Sequence, residues 1–140
     1  MDIKQQVIDL LQTPQLANLA TITLEGKPWT RYVMIRSDAD FKLKTAICIE
    51  SRKVAQVAAN PEVHLTFGIT DPNDLSKPYV QIQGTAQVTM DQQEKNDTWF
   101  DMLSMIFSGP EDPKYAILII EPYRVEFNNP GAMTPEIWEK

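Results

Sequence analysis

Apolar positions recur along this chain with two different periods, and the switches between them mark out its elements. Residues 2–13 carry Ile3, Val7, Leu10 and Leu11 at helical spacing, with Asp2 as the cap, Gln5 three positions on and Thr13-Pro14 as the stop. From Leu19 to Leu24 the period falls to two. Ala20, Ile22 and Leu24 alternate with Thr21 and Thr23, and Glu25-Gly26 supplies a tight turn. A second strand runs over 29–36, and after a turn at 37–40 a third runs from Phe41 to Glu50 with Leu43, Thr45, Ile47 and Ile49 on one face. Val54, Val57 and Ala58 then follow helical spacing until Asn60-Pro61. Val63, Leu65, Phe67 and Ile69 point one way in a fourth strand, His64 and Thr66 the other.

A polar loop at Asp71–Asp74 leads into a long strand from Tyr79 to Met90, in which Val80, Ile82, Ala86 and Val88 share a side and Gly84 predicts a bulge or bend. Asp91 with Glu94 opens a further helix whose stripe of Trp99, Met102, Leu103 and Ile106 reads as core or subunit contact, closed by Gly109-Pro110. Ala116 to Phe127 is a last strand, almost wholly apolar at its start and so buried on both sides. The tail from Asn128 is interrupted by Pro and Gly and reads as irregular, with a final turn at Pro135–Trp138. Six alternating strands with short turns, one short and one longer helix between them, predict a small antiparallel barrel with helices packed at its ends. Side chains fill the interior of such a barrel, so a ligand of more than a few atoms binds outside it or at a subunit seam, which favours a homodimer. At 140 residues the chain is one domain, residues 1–140.

The point where the third strand ends brings in chemistry. Ser51 is a favoured helix N-cap, and a helix start offers free N–H groups and a positive dipole end to an anion, with Arg52 and Lys53 adding fixed charge there. The same residues also describe a capped helix with two solvated cations. Charge distribution sharpens the picture. Net charge is −6, which argues against nucleic acid, yet residues 27–53 hold seven of the thirteen basic side chains against three acids. A small anionic ligand fits that distribution. Arg31 lies on the same strand face as Val33 and Ile35, reading either as an Arg snorkelling to solvent or as a ligand contact. The one cysteine, Cys48, sits in an apolar strand and reads as core, so neither a disulfide nor a Cys/His metal cluster is expected. No apolar run approaches the length of about 20 residues that spans a bilayer, and no signal-peptide pattern opens the chain; a cytoplasmic protein is expected.

Taken in order, Leu19-Ala20-Thr21-Ile22 with Glu25-Gly26-Lys27-Pro28, Arg31-Tyr32-Val33-Met34-Ile35-Arg36, Ser51-Arg52-Lys53-Val54, Asn60-Pro61-Glu62-Val63 and Val80-Gln81-Ile82-Gln83-Gly84-Thr85-Ala86 carry a resemblance. The chain resembles the FMN-binding split barrels related to pyridoxamine 5′-phosphate oxidase, and among them the short general stress protein 26-like group, over nearly its whole length. That implies a mainly β fold, a six-stranded antiparallel split barrel with flanking helices, and a homodimer holding FMN between subunits. It also implies that Arg31, Arg36, Ser51, Arg52 and Lys53 hold the FMN phosphate. By the same likeness Tyr32, Val33, Met34 and the strand around Ile47 lie along the flavin ring, and Tyr79 stands where the oxidase has a flavin-contacting Gln.

Two departures bear on activity. Tyr79 cannot act as an amide, and after Glu126-Phe127 come Asn128 and Asn129 with no later Arg or His, so the oxidase's substrate motif is missing. Conversion of pyridoxamine phosphate is therefore not expected. The resemblance implies a flavin-dependent oxidoreductase of unknown substrate, possibilities beside it being a non-catalytic flavin store or stress-linked sensor, or a split barrel using deazaflavin F420 or haem. Flavin chemistry needs placement more than a side-chain acid or base, so the lack of an evident catalytic dyad is neutral. Haem is disfavoured because His64 is the single histidine and lies away from the basic patch.

Overall fold

A computed structural model of the protein describes residues 2–140. Its strands are β1 (Gln15–Ile22), β2 (Pro28–Ser37), β3 (Leu43–Cys48), β4 (Glu62–Phe67), β5 (Tyr79–Thr89), β6 (Tyr115–Asn128) and β7 (Glu136–Glu139). Helices α1 (Ile3–Leu10), α2 (Arg52–Ala59) and α3 (Gln92–Thr98) flank them, and a 3₁₀ segment at Asp101–Met105 follows α3. All strand pairs are antiparallel in the order β3-β2-β1-β4-β5-β6, and β3 pairs back onto β6 to close a six-stranded barrel. The expected mainly β split barrel is what the chain forms.

Closure is uneven, and the unevenness makes the site. β3 pairs with β6 over six residues, Leu43–Cys48 with Tyr115–Ile120, but with β2 only through Arg36–Lys44 and Ser37–Leu43. Beyond those two pairs β2 and β3 diverge, and the barrel wall is split. The bulge expected at Gly84 is present: the β5–β6 register shifts between Gln83 and Gly84. A Cβ on Gly84 would come within 2.8 Å of the Glu121 carbonyl oxygen and of Ile120 Cγ2, so only glycine lets the two strands approach there. Asp2 caps α1 by accepting from Gln5 N–H at 2.8 Å, as its spacing predicts. Tyr115, Ala116, Ile117, Leu118 and Ile120 are wholly buried, as expected of a strand covered on both faces.

Four local expectations are corrected. The first strand starts at Gln15, and its inward residues are Ala17, Leu19 and Thr21, with Leu24 67% exposed beyond its end. The apolar set Ala20, Ile22 and Leu24 lies on the wrong side because Thr21 is held inside by polar partners described below. Ile69 falls past the end of β4 and is exposed. The helix opened by Asp91 stops at Trp99, whose backbone is extended (φ −60°, ψ 138°), and restarts as the 3₁₀ segment. The break rotates the stripe: Trp99 stays on Tyr115, rings 5.4 Å apart, and Leu103 is buried, but Met102 and Ile106 turn outward, 61% and 72% exposed. The tail, finally, is not irregular throughout. β7 adds to the part of β6 that β3 leaves free, Arg124–Phe127, and docks Trp138 edge-on to Phe41 at 5.3 Å.

Lys44 ties α3 to the barrel. It is 7% exposed and bridges Asp38 (3.2 Å) and Glu94 (2.5 Å). One of the seven clustered cations is thus neutralised inside the fold.

Candidate functional site

α2 begins as its sequence predicts. Ser51 is extended (φ −65°, ψ 143°) and its hydroxyl accepts from Lys53 N–H at 3.3 Å, which sets the first turn over one end of the barrel. That turn presents Arg52 outward, its guanidinium 5.4 Å from the ring centre of Trp29, and holds Lys53 half-buried.

Arg31 meets them from β2. It pairs with Leu19 across the β1–β2 ladder, so it points inward at the barrel mouth. Its Nη1 donates to Thr21 Oγ1 at 2.7 Å and to the Leu19 carbonyl at 3.3 Å; its Nη2 reaches Gln56 Oε1 at 3.3 Å, and Thr21 itself donates to Gln56 at 2.6 Å. These partners are neutral, so they orient Arg31 without cancelling its charge. Among the described residues, none of Arg31, Arg52 and Lys53 has a salt-bridge partner. Burial first, then Arg31 and Arg52, push the Lys53 amine below its ordinary range, with nearby Cys48 acting in the opposite sense. Burial and Arg52 likewise push Arg31 down. Three cations held together with no counter-charge favour an anion among them.

Lys53 also lines a cavity of about 320 Å³ at the β2–β3 split. One wall is strand, from Tyr32, Val33 and Met34 to Ala46, Ile47 and Cys48; the other is the segment after α3, with Phe100, Leu103 and Phe107. Lys53 is the single side chain charged at neutral pH on a mostly apolar lining that also includes Thr45 and Tyr32, so the slot suits a flat, largely apolar body with an anion at one end. A second, larger depression of about 560 Å³ crosses the outer faces of β1, β2 and β4 and shares Leu16 and Tyr32 with the first. It is flanked by the exposed side chains of Ile69 and Tyr79.

Residues 3–129 match the family model described as pyridoxamine 5′-phosphate oxidase. The chain belongs to the pyridoxamine 5′-phosphate oxidase family. It is 34% identical over 134 residues to general stress protein 26 of Bacillus subtilis (strain 168), covering 96% of this chain and 94% of that one. It is also similar to the crystal structure of general stress protein 26 from Bacillus anthracis str. Sterne, with 26% identity, full coverage of both chains and a TM-score of 0.85. A heme binding protein from Mycobacterium smegmatis shares the fold at 14% identity and a TM-score of 0.72, over 97% of this chain and 56% of that one.

The residues expected to act together in this family member divide into three groups. Arg31, Ser51, Arg52 and Lys53 gather at the barrel mouth, and Tyr32, Val33, Met34 and Ile47 line the slot that opens from it. Arg36 stands apart: five residues from Arg31 and so on the opposite strand face, it donates to the Gln12 carbonyl at 3.4 Å. Tyr79 lies in the larger depression with Tyr32, not in the slot. His64 sits, half-buried, on the outer face beside Glu126, Arg124 and Gln81. Periodicity did not reveal Thr21 and Gln56, which orient Arg31, or the Phe100–Phe107 wall. The one available signal was an inward Thr two positions along β1 from the residue that faces an inward Arg, hidden by the misplaced start of β1. Among the described residues, no group of His, Cys, Asp and Glu could hold a metal, and no helix is long and apolar enough to cross a membrane.

Proposed function

We propose that this chain binds FMN at the β2–β3 split and serves as a flavin-dependent oxidoreductase, working in the cytoplasm as a homodimer on a small-molecule redox substrate. The observation that carries the reading is the cluster of Arg31, Arg52 and Lys53, without an acidic partner, at the end of an apolar slot. A phosphate dianion would take charge-assisted hydrogen bonds from the two guanidinium groups, the Lys53 amine and the first turn of α2. The flavin ring would lie along Tyr32–Met34 and Ile47, with Phe100, Leu103 and Phe107 excluding water from its other side. When bound, the flavin supplies two-electron redox chemistry; the protein's part is to anchor, orient and shield it. Family membership and the likeness to general stress protein 26 support this reading.

The outer surface supports the homodimer. Leu16, Tyr32, Ile69 and Tyr79 on the larger depression adjoin Met102, Met105 and Ile106 beyond the slot, a run of exposed apolar side chains of the kind that marks protein contact. With no Arg or His after Phe127, pyridoxamine phosphate is not the expected substrate.

Titration with FMN, using riboflavin as the control that lacks phosphate, tests the reading by visible absorbance and flavin fluorescence. Tight FMN and much weaker riboflavin binding is the expected result, and replacing Arg52 and Lys53 together by Ala should weaken FMN by several kcal/mol, at about 1.5–3 for each charged hydrogen bond. Equal affinity for the two flavins would remove the phosphate cradle. Steady-state oxidation of NAD(P)H with an added electron acceptor then tests the enzyme: a flat trace with FMN bound would make the protein a flavin store or sensor.

A further inference from the structure

The two arms that bound the slot meet at a joint, and the C-terminal strand rests on it. β2 and β3 are linked by residues 38–42 and pair only at Arg36–Lys44 and Ser37–Leu43, while the slot lining begins at Met34 on one arm and Thr45 on the other, within two residues of those pairs. Asp38 organises the joint. Its carboxylate accepts from the N–H groups of Asp40 at 3.0 Å and Lys42 at 2.9 Å. It also pairs with Lys44, which holds Glu94 and with it α3, the helix that leads to the Phe100–Phe107 wall. Phe41 sits in this joint at φ 62°, the one non-glycine in the left-handed region among the described residues, and is 3% exposed. A phenylalanine keeps that conformation only where its surroundings over-determine it. Trp138 of β7 is part of those surroundings, its ring centre 5.3 Å from that of Phe41 and nearly perpendicular to it, at 79°.

β7 itself is lightly held. It is reached through the exposed residues 129–134 and pairs with β6 over four residues. Of its side chains Trp138 alone packs against the main core, Ile137 being 51% exposed. Ion pairs of Arg124 with Glu139 and of Lys140 with Glu121 fasten its end at the surface, where such pairs hold weakly. We propose that β7 is a strap and Trp138 a positioning residue: the indole clamps the β2–β3 joint at Phe41 and so keeps the slot in shape before any ligand enters. This rests on the slot being the FMN site of the proposed function and adds what holds it preformed. With the indole gone, Phe41 is free to leave the left-handed region and Asp38 turns with it. Lys44 then loses one of the two carboxylates that tie β3 to α3. Both walls of the slot are released at one point, while Arg31, Arg52 and Lys53 keep their places. FMN then binds only the molecules whose slot is formed, and apparent affinity falls with their fraction.

The test uses the full-length protein carrying Trp138→Ala, with Trp138→Phe as the conservative replacement and Ile137→Ala as the neighbour on the same strand. FMN affinity is read by fluorescence titration, and the joint by backbone hydrogen exchange over residues 38–44. Trp138→Ala is expected to weaken FMN about tenfold or more and to speed exchange over 38–44, with β5 unchanged. Trp138→Phe, which returns an aromatic ring to Phe41, should recover most of both, and Ile137→Ala should change neither. Circular dichroism checks the fold; should Trp138→Ala not fold, Trp138→Leu, which keeps apolar cover but has no ring, takes its place with the same expectations. Unchanged FMN affinity in Trp138→Ala would overturn the proposal, as would weaker FMN with exchange over 38–44 unchanged, or an equal loss in Ile137→Ala. The FMN site and the strap fail separately. A wild type that takes no FMN removes the site, and exchange over 38–44 then decides the strap: faster in Trp138→Ala upholds it, unchanged removes it. Tight FMN binding by both wild type and Trp138→Ala leaves the site and removes the strap.

Discussion

At the scale of single residues, the site depends on neutral groups that aim a charge. Thr21 and Gln56 are 0% and 6% exposed, and both spend their side-chain oxygens on Arg31 and on each other. Replacing Thr21 by Val keeps the shape but strands Arg31 Nη1 and Gln56 Oε1 short of a partner. The cost should be about 1–3 kcal/mol in urea unfolding, with weaker FMN binding because Arg31 is no longer held. His64 offers a test by pH. Burial lowers its pKa below 6.5 although Glu126 favours the charged form, so the unfolded chain takes up its proton first as the solution is acidified. Stability from this group is full above 6.5 and falls as pH drops through the lower folded value. His64→Gln should flatten that segment of the melting-temperature profile; an unchanged slope would assign the acid sensitivity elsewhere. Lys44 acts in the opposite range. Burial alone would lower its pKa, but hydrogen bonds to Glu94 and Asp38 raise it above 10.5, so its contribution is full below 10.5 and fades only in stronger alkali.

Among the elements, β6 carries the most. It pairs with β5 along its length, with β3 at one end and with β7 at the other, and the bulge at Gly84 lets it bend between those partners. Gly84→Ala places a methyl against backbone on β6, and backbone gives way less readily than a flexible side chain. A loss of about 1–3 kcal/mol is expected, read as a lower urea midpoint with an unchanged slope. The strands were readable from their alternation wherever a strand is half-buried, as in β4 and β5. The alternation misled in β1, where the buried position is a threonine satisfied by side chains far away in sequence. The broken helix after Asp91 misled for a related reason: Trp99 and Phe107 both pack on the buried Tyr115, and one continuous helix would hold them about 12 Å apart along its axis.

For the whole molecule, an exposed apolar face bears on assembly. Met105 is 84% exposed and Tyr32 73%, in a chain whose net charge of −6 would otherwise keep copies apart. Ile106→Glu should convert a dimer to a monomer in light scattering and release FMN at the same time, if the second copy closes the slot. A monomeric wild type would withdraw the dimer and leave the cradle standing on its own residues.

The sequence by itself determined the period of each strand, the cap at Asp2, the bulge at Gly84, the helix start at Ser51 and the concentration of cations near it. These are local properties, set by propensity, alternation and neighbours a few positions away. It also carried the family, because the motifs keep their order and spacing. Tertiary structure alone decided which cations meet. Arg31 and Arg36 lie on one strand, but the two-sided geometry of β2 sends the first to the barrel mouth and the second to the Gln12 carbonyl. It alone opened the slot, where β3 stays paired with β6 over six residues while only two of its residues pair with β2. It alone recruited Thr21, Gln56 and the Phe100–Phe107 wall. Contacts between residues far apart in the chain depend on how the barrel closes, and closure is a property of all its strands at once.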